Sequence, residues 1–467
     1  MLLFHSSPIH RWTCALPLMC LVGCAPMREQ PELPALEAKA WQHSVQTMSA
    51  QTVDLQGWWK SFQDPQLDAL VEEALAQNAT LARAEQRLQQ VHTLTRHVDA
   101  AYRPQVSLTT RSVQEVAATD TYFQVSLDAI WDLGFFGERE GVQTRARGDN
   151  QAAVAALQAA RVTVVSEVVR QYIRLQTAAA MIDTLQQLVA LERQSNTLLQ
   201  VRVDTRLGNA DDLGQGKARH AQTQAALSGP RETQARAEQA LQALLGRERP
   251  DPQWRQLKSD EALHIGALQQ VPSDLLQTRP DVQAAEAQVW QAAGQLGLAR
   301  ARLYPRIAIG TSYLYAYNLT QNQQQRFNDL PMLGPLIDVP LLDWGQRKAA
   351  ADAQRHALDA AVEGYRETLR TAVAQTETAL AVLEQSRQRL QHLREAQDAL
   401  RGRGERIQTL TELGLASDWE GLGSKREALN ADLQAIQAHM QRSLAFVALY
   451  KSLGGAPLEA VAQKARP

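Results

Sequence analysis

The sequence predicts a mainly α protein with a small β part, built as two tandem repeats of helix, β-hairpin and long helical hairpin. Three observations predict it. First, the chain states the same landmarks twice: Arg103-Pro104-Gln105-Val106-Ser107-Leu108 returns as Tyr304-Pro305-Arg306-Ile307-Ala308-Ile309. Trp131-Asp132-Leu133-Gly134-Phe135-Phe136-Gly137 is echoed by Leu341-Leu342-Asp343-Trp344-Gly345, Thr205-Arg206-Leu207-Gly208-Asn209-Ala210 by Thr411-Glu412-Leu413-Gly414-Leu415-Ala416, and Leu244-Leu245-Gly246 by Leu453-Gly454-Gly455. The offsets are 201, 208, 206 and 208 residues. A period this long is no solenoid unit but two copies of one large element set, related by a pseudo-two-fold or ring axis. Second, proline is absent between Gln105 and Gly229 and between Leu341 and Ala456, where Ala, Leu, Gln and Arg dominate. Third, each copy carries two short stretches that alternate apolar and polar residues.

In chain order, residues 1–23 read as a signal peptide. His10 and Arg11 give a weak positive start, and an apolar run too short to span a bilayer follows. Leu21-Val22-Gly23-Cys24 resembles the lipobox of bacterial lipoproteins, in which the Cys24 thiol receives a diacylglyceryl group. Ala25, in place of an aspartate, implies the outer membrane. Residues 24–57, with Pro26, Pro31 and Pro34, read as an extended segment behind that anchor.

The first repeat, 58–265, opens on Trp58-Trp59. Asp64 caps a helix whose first residue is Pro65, and Leu67, Leu70, Val71, Ala74, Leu75 and Leu81 follow at helical spacing. Strands are expected at 105–114 and 122–131, then a helix from Glu138 to Leu207, roughly 100 Å long at 1.5 Å per residue. A helix of that length needs partner helices along its whole course. Gly208 suits the left-handed residue after a helix, and Asn209, Asp211 and Asp212 suit the next cap. The second repeat, 266–457, places strands at 306–315 and 336–342 and a second tip at Gly414, with Ser417 and Asp418 as capping residues. Residues 458–467 form a tail.

Composition narrows the function. A formal charge of −2 offers no field for nucleic acid. Of three cysteines, Cys14 and Cys20 fall within the signal, so the mature chain has no disulfide framework or thiolate metal site. No nucleophile motif, phosphate loop or His-Glu-x-x-His is present, and the ten histidines are scattered. The expectation is no enzyme, no metal and no cofactor other than the lipid on Cys24. Four strands leave two open edges and cannot enclose a barrel, for which about eight are needed. In a bilayer open edges cost several kcal/mol per unpaired group. Three chains would give twelve strands around a lumen, so a homotrimer is expected.

These features are similar to those of outer-membrane factors of the TolC type, specifically the NodT-like lipoproteins found with resistance-nodulation-division pumps. The carriers are the lipobox, Trp58-Trp59, Asp64-Pro65-Gln66-Leu67, Asn78, Trp131-Asp132-Leu133, Phe136-Gly137 and Leu244-Leu245-Gly246. In the second repeat they are Pro272-Ser273-Asp274-Leu275-Leu276, Arg279-Pro280-Asp281-Val282, Ala284-Ala285-Glu286, Tyr304-Pro305, Gly334-Pro335, Val339-Pro340-Leu341 and Leu453-Gly454-Gly455. The resemblance implies a trimeric 12-stranded β-barrel in the outer membrane and an α-helical barrel in the periplasm. It also implies a passive exit duct for small molecules passed on by an inner-membrane pump and a periplasmic adaptor. Leu207, Gly208, Leu413, Gly414 and Leu415 are the expected adaptor contacts at the tips. At the periplasmic gate Arg426 matches the family's arginine, while Gly423 stands where the family has an aspartate. Either Asp418 and Glu420 form an acidic ring there, or Trp419 and Leu422 close the mouth by apolar packing. Gly402, Gly404, Gly421 and Gly423 suggest a looser second hairpin. The competing readings are an exit duct for type I protein secretion and a lipid-anchored coiled-coil scaffold without a pore. The cargo is not written in this chain.

Overall fold

The computed structural model describes residues 33, 49–52, 55–114, 120–256, 269–270, 278–324 and 332–455. Cys24 with its lipobox, Pro272 to Leu276 and the tail 458–467 lie outside them. The chain forms two compact units.

One unit comprises His97–Arg145 and Ala292–Ala357 and holds the main sheet. Its strands are β2 (Gln105–Gln114), β3 (Thr121–Asp132), β5 (Arg306–Asn318), the two-residue β6 (Gln323–Gln324) and β7 (Met332–Asp338). The antiparallel order is β2-β3-β5-β7, with β6 paired to the end of β5. The central ladder, β3 on β5, joins one repeat to the other.

Opposed residues share a face, so the register sorts the side chains. Val106, Leu108, Phe123, Val125, Leu127, Trp131, Ile309, Tyr313, Tyr315 and Ile337 fall on one face. Ser107, Thr109, Arg111, Gln124, Ser126, Asp128, Ser312 and Asp338 fall on the other. The polar face is knit together: Ser312 Oγ donates to Asp128 Oδ1 at 2.6 Å, Ser126 Oγ to Asp128 Oδ2 at 2.8 Å, and Arg111 Nε to Gln124 Oε1 at 2.8 Å. Among the described residues β2 pairs only with β3 and β7 only with β5, so the sheet has two open edges.

The sequence reading placed the last strand at 336–342, four residues late. Val339 to Leu342 prolong the apolar run, but Pro340 has no N–H for a ladder, and the paired segment ends at Asp338. In the same unit helices α3 (Glu138–Asp204) and α6 (Pro280–Ala301) cross at backbone contact: a Cβ on Gly294 would stand 2.4 Å from Arg145 N, and one on Gly141 2.9 Å from Leu298 N.

The described residues of the other unit, Leu33–Arg96, Ala146–Gln291 and Leu358–Pro467, are mainly helical and include a short parallel pair, β1 (Ser49–Thr52) with β4 (Gln269–Gln270). The helices are α1 (Pro65–Gln77), α2 (Ala79–Thr95), α3 (Glu138–Asp204), α4 (Ala210–Ala226), α5 (Ser228–Leu244), α6 (Pro280–Ala301), α7 (Gln346–Glu412) and α8 (Asp418–Ser452). Asp64 Oδ1 caps α1 through Gln66 N and Leu67 N, with Pro65 at the first position as expected. Its Oδ2 accepts from the buried Tyr172 hydroxyl at 2.6 Å. Burial and that carboxylate together hold the Tyr172 phenol far above its ordinary pKa. The core joins Trp58, Trp59 and Phe62 to Val168, Ile173, Phe446, Leu449 and Tyr450. Trp58 stacks on Tyr450 with centroids 5.3 Å apart.

The duplication is sharper in the backbone than in the residues. Helices α3 and α7 each have 67 residues. Left-handed residues recur in pairs, Phe136 with Trp344, Gly137 with Gly345, Arg206 with Gly414 and Gly246 with Gly454. Every pair is separated by 208 positions. One joint is also built twice. Asn78 Nδ2 donates to Leu244 O at 2.9 Å, and Arg279 Nη1 donates to Ser452 O at 2.7 Å. The second arm of the first hairpin is split at Leu227 into α4 and α5, with Pro230 in the first turn of α5, where its missing N–H costs nothing. The corresponding arm of the second hairpin, α8, is unbroken.

Candidate functional site

The two helical tips carry exposed leucines, matched among the described residues of the helical unit by Leu94 alone, at 68%. Leu207, Leu413 and Leu415 are 75%, 67% and 73% exposed. Both tips close alike. After α7, Leu415 N donates to Leu410 O at 2.8 Å and Gly414 N to Thr411 O at 3.0 Å. After α3, Leu207 N donates to Arg202 O at 2.7 Å and Arg206 N to Val203 O at 3.0 Å. This is the Schellman closure with a left-handed residue after the helix.

Gly414 is that residue in the second tip, at φ 72°. In the first tip it is Arg206, at φ 61°, and not Gly208 as the sequence reading had it. A non-glycine there costs roughly 1–3 kcal/mol. Gly208 serves a different need: a Cβ on it would stand 2.9 Å from Arg202 Cβ. By backbone position Leu207 therefore matches Leu415, and both cap residues follow suit, Asn209 before α4 and Ser417 before α8.

Of the expected gate residues, Glu420 forms a capping box with Ser417. Ser417 N donates to Glu420 Oε2 at 3.0 Å, and Glu420 N to Ser417 Oγ at 3.3 Å. Asp418, in the first turn, is exposed; Trp419 is half-buried and Leu422 buried. Arg426 faces none of these acids. Its Nη1 lies 3.9 Å from Glu192 Oε1 on α3, while Arg219 Nε of α4 lies 3.7 Å from Glu192 Oε2. Glu192 is only 3% exposed, so one buried carboxylate of α3 faces cations of α4 and α8 at ion-pair distance, without a hydrogen bond to either.

The sequence reading missed Glu192, though its signal was present. Leu185, Leu188, Glu192, Ser195 and Leu199 form the buried stripe of α3 at alternating spacings of three and four. A carboxylate in such a seam requires a cationic partner. Asn196, one turn on, lies under Gly216 of α4, where a Cβ would meet its Oδ1 at 2.2 Å.

The second hairpin is laced rather than loose. Arg401 Nη2 and Gln397 Nε2 both donate to Asp432 Oδ1, at 3.0 and 2.7 Å. Helices α7 and α8 run unbroken through Gly402, Gly404, Gly421 and Gly423. A Cβ on Gly404 or Gly421 would stand 3.6 Å from Ser424 Oγ or Thr411 Oγ1, so two of these glycines lie where the helices meet.

A sheet with one apolar and one polar face, carried with two long helical hairpins, defines an outer-membrane channel component. The family model described as outer membrane efflux protein matches residues 70–247 and 271–455, and the chain belongs to that family. It is thus an efflux protein of the outer membrane. Its relatives include the cation efflux system protein CusC of Escherichia coli K12, 24% identical over 94% of this chain and 97% of the relative. The probable outer membrane lipoprotein SilC of Salmonella typhimurium is 23% identical over 95% of this chain and 98% of its own. The open-state structure of the Neisseria gonorrhoeae MtrE outer membrane channel superposes with a TM-score of 0.77, covering 91% of this chain and 98% of that one at 21% identity.

Proposed function

We propose that three copies of this chain close a twelve-stranded barrel and a helical tunnel, and that the assembly is the passive exit duct of a tripartite efflux system. The observation that carries this reading is the sheet and its four main strands, β2, β3, β5 and β7. It has a mainly apolar face fit for lipid, a mainly polar face fit for a lumen, on which Val113, Ile130, Leu314 and Leu336 also fall, and two edges unpaired among the described residues. In a bilayer only closure satisfies such edges. A coiled-coil scaffold has no use for a sheet of this kind.

In the same reading Cys24 is the lipidated first residue of the mature chain, in keeping with the likeness to the probable outer membrane lipoprotein SilC. Leu207, Gly208, Leu413, Gly414 and Leu415 meet the periplasmic adaptor, since exposed apolar clusters mark partner surfaces. Asp418, Trp419, Glu420 and Arg426 line the mouth. The ion pair from Arg426 to Glu192 holds α8 against the first hairpin in the closed state. The duct itself moves cargo without chemistry, and the inner-membrane pump selects the cargo.

Reconstitution in planar bilayers tests the reading. The purified protein is expected to give stepwise currents that are linear in voltage and need no nucleotide. Protein that inserts and never conducts would contradict it.

A further inference from the structure

Trp344 is 91% exposed and sits in left-handed backbone at φ 55°, a strained state for an aromatic residue. Its first-repeat counterpart, Phe136 at φ 59°, is only 37% exposed. It stacks on Tyr304 with centroids 5.1 Å apart and planes 11° from parallel. In the duplication Tyr304-Pro305 stands where the first repeat has Arg103-Pro104. Arg103 is exposed as well.

The strand registers obey the same correspondence. In the first repeat Gln105 is opposite Ile130, and in the second Arg306 is opposite Asp338. Moving the leading strand by 201 positions and the returning strand by 208 converts one ladder into the other. The β3–β5 ladder pairs Trp131 with Ile309, Ile130 with Gly310 and Asp128 with Ser312. Carried forward one repeat, that ladder becomes β7 against β2 of another copy.

We infer that copies of this chain join β7 to β2 with Val339 opposite Leu108 of the partner subunit, Asp338 opposite Thr109 of the partner subunit, and Trp344 stacked on Arg103 of the partner subunit. The inference rests on the closed ring proposed above and supplies its register and one of its contacts. The faces agree with it: Val339 meets an apolar residue and Asp338 a polar one. A one-residue slip would instead set Val339 against Ser107 or Thr109 of the partner subunit, both polar. A two-residue slip would keep the faces but break the correspondence. A guanidinium is a suitable cover for an indole face.

In the β3–β5 ladder Leu133 N donates to Ile307 O and Leu319 N to Thr121 O. Odd-numbered β3 residues therefore sit in hydrogen-bonded pairs, and Ile130 with Gly310 is a non-hydrogen-bonded, closer pair. Asp338 and Thr109 of the partner subunit inherit that position, which suits a disulfide. The full-length chain carrying both Thr109→Cys and Asp338→Cys should, on oxidation in outer membranes, give a covalent ladder ending at three chains. Thr109→Cys with Leu336→Cys should give several-fold less. A ladder from the shifted pair alone overturns the register while leaving the ring intact. Light scattering of the unoxidised protein that finds no oligomer overturns both. For the stacking contact, Arg103→Ala should lower the temperature at which the trimer dissociates, and Arg103→Tyr, which restores the residue found at 304, should recover it. Equal loss in both variants, or no loss in either, overturns the contact.

Discussion

Arg279 makes five hydrogen bonds with a side chain only 6% exposed: two to the Asp281 carboxylate, one each to Ala372 O and Ser452 O, and one to Gln375 Oε1. It thereby fastens the start of α6 to α7 and to the end of α8. In the first repeat Asn78 fastens α2 to the end of α5 with a single amide, so the same joint is built from a charge in one copy and a neutral group in the other. The charge brings a pH dependence. Burial alone would raise the Asp281 carboxyl, but the Arg279 hydrogen bonds and charge overcome this and leave it below its ordinary value of 3.8. A depressed acid stabilises the fold at every pH above its unfolded pKa and loses that contribution as pH falls through the folded one. We expect Asp281→Asn to cost about 1–2 kcal/mol at neutral pH, the lower end for a charged hydrogen bond because Asp281 is half exposed. The gap between variant and parent should close in thermal melts taken progressively below the ordinary carboxylate range. A gap that stays constant with pH would show that the ion pair is not what Asp281 contributes.

At the scale of elements, the reading of the chain succeeded where one local rule acts alone. Strand β2 was legible to the residue because Gln105 to Gln114 alternate after Pro104, and Asp64-Pro65 marked the start of α1. It failed where two requirements share one residue type. Gly208 looks like a turn glycine, yet it is small because the chain passes over Arg202, and the turn falls on Arg206. Glycines in α7 and α8 look like breaks, yet both helices run through them. Glu192 was hidden because its two cations come from α4 and α8, far off in sequence. These three helices carry the next prediction. Exposed pairs are worth about 0.2–1 kcal/mol, whereas stripping a cation from a buried acid costs about 3–5 kcal/mol; Arg426, about a third exposed, falls between. Three copies acting together would shift a closed–open balance by a few kcal/mol. Arg426→Ala and Glu192→Gln should both raise single-channel conductance, most visibly at low salt. Parent-like conductance in both variants would move the latch to the apolar packing of Trp419 and Leu422.

For the whole molecule, the duplication explains why the chain is incomplete alone. Its internal ladder, β3 on β5, already shows how one repeat meets the next, and the same meeting has no partner at β2 and β7. Four strands are too few to enclose a lumen, whereas six repeats from three chains supply twelve. The lipid on Cys24 would tether each chain at the bilayer that the sheet crosses. The central claim is this count of three, and native mass spectrometry of the protein extracted from outer membranes in mild detergent measures it. The account predicts a particle of three chains, each beginning at Cys24 and carrying a lipid-sized addition; a membrane-inserted particle of one chain would contradict it.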